Sequence, residues 1–149
     1  MSEDEFARWL PDMRDWYARD IAQSGGGTDQ KAAQRKAIED VEQLFPGERP
    51  SPDQFVFVVE ADGEAVGELW FAERDTGLGR CLWIYDIRMN EAFRGRGYGK
   101  AAMLLAETEA RRRGYSRIGL NVFGDNDVAR SLYRSLGYEE NAILMSKPV

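Results

Sequence analysis

Histidine is absent from this chain of 149 residues, and cysteine occurs once, at Cys81. The first absence removes the side chain most often used as a general base at neutral pH. Together the two make a transition-metal site improbable. A lone cysteine excludes an internal disulfide and fits a reducing compartment, so a cytoplasmic location is expected. No apolar run approaches the ~20 residues of a membrane-spanning helix, and the acidic N-terminus is no signal peptide. No membrane role is therefore expected.

The charge that is present is unevenly placed. Net charge is −6. The segment from Arg88 to Arg117 nevertheless carries Arg88, Arg94, Arg96, Lys100, Arg111, Arg112, Arg113 and Arg117 against only Glu91, Glu107 and Glu109. A cationic patch on an acidic protein suits a small anionic ligand better than a polynucleotide, which the remaining surface would repel. Nucleic-acid binding is accordingly not expected. Arg111 to Arg113 also fit the plainer role of favouring a helix C-terminus.

The patch centres on Ile84 to Lys100, which reads as a buried strand, a short turn, a glycine-rich bend and the start of a helix. Gly95, Gly97 and Gly99 leave bare backbone where a ligand could lie. The first amides of the following helix lack carbonyl partners and carry partial positive charge, to which Arg94, Arg96 and Lys100 add full charges. Such a bend is suited to a phosphate or pyrophosphate. Two phosphate motifs fail on spacing. Only three residues separate Gly95 from Gly99, and Ala101 follows the lysine where a P-loop needs Ser or Thr. Gly95-Arg-Gly97-Tyr-Gly99 is G-x-G-x-G, not the G-x-G-x-x-G of a dinucleotide fold.

Arg94-x-x-Gly97-x-Gly99 resembles the pyrophosphate loop of the GNAT superfamily of acetyl-coenzyme A-dependent acetyltransferases. A second element, Leu120 to Tyr138, resembles the strand, the Asn-initiated helix and the Leu-Tyr…Leu-Gly-Tyr ending of the same superfamily. The two cover about the last two-thirds of the chain once the preceding hairpin is included. The resemblance implies an α/β (α+β) fold: a mixed, mostly antiparallel sheet with a central parallel, splayed strand pair, flanked by helices. It also implies acetyl-coenzyme A as cosubstrate, with no metal, and an amine acceptor.

Periodicity supplies the elements. A helix is expected over 2–21, capped by Ser2 and Glu5, with Phe6, Trp9, Leu10 and Met13 inward and Pro11 kinking or splitting it. A second helix is expected from Thr28 to Leu44, with Ala33, Ala37, Val41 and Leu44 as its stripe. Strands are expected over 54–59, 65–71 and 81–89, the first two joined by the turn Ala61-Asp-Gly-Glu64. A helix over 97–113 presents Ala101, Leu104, Leu105 and Thr108, and Gly114 stops it. A strand over 118–123 runs parallel to its predecessor because a helix joins them. A last helix covers 126–136, with Val128, Leu132 and Leu136 as its buried stripe, and a closing strand covers 142–146. One domain is expected, with 1–47 as a helical acceptor-side region and 54–149 as the sheet and cofactor core. The family's usual leading strand has no counterpart before the first helix. Either the sheet lacks it or the natural start lies upstream.

The resemblance also implies roles. The pantetheine arm would bond to the backbone of Ile87, Arg88 and Met89, with an amide near Ile87 facing the acetyl oxygen. The pyrophosphate would lie on Arg94, Gly95, Arg96, Gly97, Tyr98, Gly99 and Lys100. Asn126, Ala129 and Tyr133 would border the coenzyme from the last helix. Tyr133 would be the general acid, since a phenol near pKa ~10 stays protonated beside a thiolate that gains its proton near ~8.5. Its alternative is a stripe-edge tyrosine with a wetted hydroxyl. Asn126, seven residues earlier, shares its face and caps the helix. Asp86 is the candidate base, by resemblance to aminoglycoside-modifying members; it could equally be a strand acid paired with Arg88. Glu68 is a third possibility, and Asn121 stands where some members carry a glutamate base.

Trp9, Trp16, Tyr17 and Trp70 could line an acceptor pocket, although aromatics at helical spacing more often build core. The acceptor side would include the Gly25-Gly26-Gly27 loop, and the acidic surface favours a cationic acceptor. The expected activity is acetyl transfer to a primary amine by direct attack in a ternary complex. The alternative is a non-catalytic acyl-coenzyme A sensor, and homodimerisation is left open.

Overall fold

The computed structural model describes residues 1–24, 29–77, 79–143, 145 and 147. Helix α1 spans Glu3–Ser24 and α2 spans Gln30–Leu44. Strands β1 (Gln54–Ala61), β2 (Glu64–Thr76) and β3 (Gly79–Met89) follow, then α3 (Tyr98–Arg112), β4 (Ile118–Leu120) and α4 (Asp127–Ser135). The strands form one sheet in the order β1-β2-β3-β4, antiparallel except for the parallel β3–β4 pair. This is the expected mixed sheet.

Helix α1 begins on a reciprocal cap: the Ser2 amide donates to Glu5 Oε2 at 2.6 Å, and the Glu5 amide donates to Ser2 Oγ at 3.3 Å. It runs through Pro11 without a break. Proline removes one helical hydrogen bond there, and burial of Trp9, Leu10 and Met13 on either side holds the turn. Helix α2 is capped by Asp29, one residue past the expected Thr28, which lies outside the described residues. The Gly25–Gly27 loop also lies outside them.

The sheet separates two cores. On one face Phe6, Trp9, Leu10 and Met13 of α1 meet Val41 and Phe45 around Trp70 of β2. Trp9 and Trp70 are therefore core, with ring centroids 5.8 Å apart. On the other face Leu69, Phe71, Leu82 and Ile84 pack against Met103, Ala106 and Ala110 of α3. The buried stripe of α3 is thus Ala102, Met103, Ala106 and Ala110, whereas Leu104 and Leu105 are exposed. The expected leucine face was wrong because small side chains, not large ones, let this helix approach the sheet closely.

Two further expectations fail. Val128 is 85% exposed rather than buried; it sits in the first turn of α4, beyond the short β4. The described residues in 142–146 form no strand, and Ile143 and Met145 are exposed. The last strand, β4, is only three residues long. The β1–β2 turn is as expected, with Asp62 at φ 53° and Gly63 at φ 80°, the left-handed pair that suits a tight hairpin.

Candidate active site

The parallel pair diverges. Strands β3 and β4 are in register at Leu82–Ile118, Trp83–Gly119 and Ile84–Leu120, and no further. Beyond Ile84, β3 continues to Met89 with its β4-facing edge open while its other edge stays bonded to β2. Gly67 holds that closed side tight: a Cβ there would lie 2.4 Å from the carbonyl oxygen of Arg88. Sequence reasoning passed over Gly67, although a glycine inside a strand is itself a sign of close backbone approach.

At the end of the open edge lies the glycine bend. Gly95 and Gly97 have φ 72° and 87°, a region costly for other residues, and the space beside each is empty. Gly97 caps α3 with no side-chain hydrogen bond, and the first helical bond runs from Ala101 N–H to Gly97 C=O at 3.1 Å. The amides of Tyr98, Gly99 and Lys100 therefore precede the helical ladder and point out of its end. Arg94, Arg96 and Lys100 are exposed there and form no ion pair among the described residues. Arg94 Nε donates to the Met89 carbonyl at 3.1 Å, so that carbonyl, one of the expected pantetheine contacts, is already engaged. By contrast, Arg111, Arg112 and Arg113 pair with Glu107 and Glu109 along their own helix, the plainer of their two roles.

A β-bulge decides where Asp86 points. Trp70 faces Asp86, but the next β2 residue, Phe71, faces Ile84, leaving Tyr85 as the extra residue. Tyr85 stacks on Trp70 with centroids 4.7 Å apart. Without the bulge, Asp86 would share the α3 face with Ile84; with it, Asp86 and Arg88 turn to the α1 face with Trp70 and Glu68.

Asp86 is 6% exposed, and its Oδ2 has no hydrogen-bond partner. Burial pushes its carboxyl up to about 6; Arg88 opposes the rise, while the charges of Glu68 and Asp20 add to it. Arg88 Nη2 donates to Glu68 Oε2 at 2.8 Å and lies 3.8 Å from Asp86 Oδ2. The Arg88 side chain is thus spent on these acids, and Glu68 is a paired strand acid.

Tyr133 of α4 packs against the second core, its ring 5.8 Å from that of Tyr138. Burial raises its phenol above the usual value, and the charge of Asp86 adds to that rise. Asn126 accepts from the Ala129 amide at 3.1 Å as the α4 cap. The structure also brings in residues that sequence reasoning missed: Asp12, Asp15 and Arg19 of α1 face Glu68, Arg88 and Asn90 across a cavity. Their i, i+3, i+7 spacing on the polar side of α1 was the available signal.

Comparison with known proteins bears on the family and the fold. The model of the acetyltransferase (GNAT) family matches residues 10–138. The uncharacterised N-acetyltransferase YdgE of Bacillus subtilis is 30% identical over 148 residues, covering 99% of this chain and 94% of its own. The crystal structure of YycN, also from Bacillus subtilis, is 28% identical with a TM-score of 0.85, covering 100% of this chain and 95% of that one. The aminoglycoside N-acetyltransferase AAC(6')-Iy, solved in complex with CoA, shares the fold at 20% identity with a TM-score of 0.57, over 77% of this chain and 87% of its own.

Proposed function

The chain belongs to the GNAT acetyltransferase family and is an acyltransferase; on that premise we propose that it moves an acetyl group from acetyl-coenzyme A to a primary amine by direct attack in a ternary complex. The open β3 edge and the uncapped, cation-flanked start of α3 suit an extended thioester ligand with a diphosphate. A solved protein of the same fold holds CoA.

Asp86 is the base. A lone ammonium near pKa ~10.4 holds its proton far more tightly than an ordinary carboxylate would. Raising the carboxyl from 3.8 to about 6 narrows that gap by about 3 kcal/mol. At neutral pH roughly nine-tenths of Asp86 remains ionised and able to accept. The amine nitrogen then bonds to the thioester carbonyl carbon, and the carbon–sulfur bond breaks. Tyr133, kept protonated by burial and by the field of Asp86, gives its proton to the departing sulfur and regains one from the attacking nitrogen as that nitrogen becomes the amide. The observation that carries this reading is the buried Oδ2 of Asp86, without a hydrogen-bond partner, on β3 where its β4-facing edge is open.

Thiol release across a panel of amines tests the activity; no release with any amine would leave a coenzyme-binding sensor instead. Tyr133→Phe tests the acid. Turnover should fall by ~10²-fold or more while calorimetric binding of coenzyme A is kept, and unchanged turnover removes the role.

A further inference from the structure

The open β3 edge is not bare at its far end. The Asn90 amide donates to the Val66 carbonyl at 2.9 Å, in line with the register that pairs Met89 with Gly67 and Ile87 with Leu69. An antiparallel ladder bonds alternate residues to the partner strand, so the backbone groups of Ile87 and Met89 turn away from β2. They face the edge that β4 leaves open, since its ladder ends at Ile84–Leu120. The short turn Glu91–Phe93 follows, closed by bonds from Phe93 N–H to the Asn90 carbonyl at 2.9 Å and from Arg94 N–H to the Glu91 carbonyl at 3.2 Å. It brings Arg94 back over the strand end, where Nε donates to the Met89 carbonyl at 3.1 Å. Among the described residues, Arg94 is the one cation of the bend whose side chain bonds to β3; the Arg96 guanidinium lies instead 5.5 Å from the Phe93 ring centroid.

We propose that Arg94 is a latch on the pantetheine slot. In the free protein it holds the Met89 carbonyl, and a diphosphate arriving at the bend draws the guanidinium off and frees that carbonyl for an amide of the arm. The proposal rests on the coenzyme reading above and adds a coupling between the two ends of the ligand. The exchange is favourable because the guanidinium leaves a neutral carbonyl for an anion, and such charge-assisted bonds are roughly twice as strong. The Met89 carbonyl is not left unbonded, since the arm brings its own N–H. The bond is exposed, so nothing has to leave the core to break it. A ligand with the arm but no phosphate has no charge to draw Arg94 away and must compete with it for the carbonyl. The diphosphate is therefore what admits the arm.

The test compares the native protein with Arg94→Ala, a substitution at an exposed position that removes the donor and the charge together. Calorimetry is run with coenzyme A and with pantetheine, which keeps the arm and lacks every phosphate. Arg94→Ala should bind pantetheine about threefold or more tightly than the native protein, the scale of one hydrogen bond. It should bind coenzyme A about threefold or more weakly, because the diphosphate contact is lost. A residue that only grips the diphosphate would leave pantetheine unchanged, and one that only braces the turn would weaken both ligands; either result overturns the latch. The second readout is the carbonyl carbon resonance of Met89, followed by NMR as inorganic pyrophosphate is added to the native protein. It should move toward its position in Arg94→Ala, and it decides the matter if pantetheine binds both proteins too weakly for calorimetry. A Met89 signal that stays in place while the amides of Tyr98 and Gly99 respond overturns the latch and leaves the coenzyme reading. No response of those amides, with no coenzyme A bound, overturns both.

Discussion

Arg88 Nη2 sits 2.8 Å from Glu68 Oε2 but 3.8 Å from Asp86 Oδ2. The hydrogen bond goes to the more exposed acid, and the buried acid receives only attraction at a distance. Burial therefore prevails at Asp86, and the neighbouring charge of Glu68 reinforces it. Glu68 keeps Arg88 from fully neutralising the base.

Replacing Arg88 with Gln removes the one strong influence that lowers the Asp86 pKa. The acid limb of kcat/KM, expected near pH 6 in the native enzyme, should move to higher pH. Glu68→Gln should move it the opposite way, because a like charge is lost and Arg88 is released toward Asp86. pH–rate profiles of the two variants check this. Limbs that stay in place would mean that Asp86 is not the titrating base.

Asp86 should also cost stability. Its folded pKa, about 6, lies above the ordinary 3.8, so the native state binds the proton more tightly than the unfolded chain. Stability from this site is present below about pH 4 and is lost as pH rises through about 6. The loss is on the order of 3 kcal/mol by neutral pH. Asp86→Asn should thus raise the melting temperature by a few degrees at neutral pH and little or not at all at pH 4, while depressing turnover. Thermal melts at the two pH values decide it; a variant less stable at both would show that the ionised carboxylate is not under strain.

Much of this was legible because the relevant signals are local. The Ser2–Glu5 cap, the Asp62-Gly63 turn and the spacing of Gly95, Gly97 and Gly99 need no tertiary context, and each sits where expected. The α3 face was not legible, because Leu104 and Leu105 outweigh Ala102 and Ala106 on any hydrophobic count. Which stripe is buried depends on how near the sheet lies. The direction of Asp86 depends on a bulge, and strand alternation alone puts it with Ile84. The cavity joins α1 to the ends of β2 and β3, residues far apart in sequence whose meeting no periodicity announces.

Gly67 should be a stability position. A methyl group there would meet the Arg88 carbonyl oxygen at 2.4 Å and the Met89 side chain at 2.6 Å. The side chain can swing away; the carbonyl cannot unless β2 and β3 part. Gly67→Ala should cost about 3 kcal/mol, the upper end of ordinary overpacking, visible as a lower urea midpoint. A midpoint equal to the native one would mean that the strands separate freely at this end.

Gly97 makes the complementary case. Its φ of 87° is left-handed, but nothing lies within 4 Å of an added Cβ, so Gly97→Ala meets strain without collision. The penalty is about 1–2 kcal/mol, and the chain can relieve part of it by rotating toward negative φ. That rotation swings the amides of Tyr98 and Gly99 away from the mouth of the bend, where no side chain substitutes for them. The variant should therefore lose a few degrees of melting temperature and several-fold in affinity for coenzyme A, with kcat at saturating acetyl-coenzyme A close to native. Gly67→Ala collides instead with the Arg88 carbonyl and Met89, on the strand expected to hold the pantetheine arm, so it should weaken coenzyme A through the arm while leaving the grip on the diphosphate. Calorimetry of adenosine 3'-phosphate 5'-diphosphate, which lacks the arm, beside coenzyme A on both variants separates the two contributions. If Gly97→Ala bound the coenzyme as tightly as the native chain, the amides at the start of α3 would have no part in holding it.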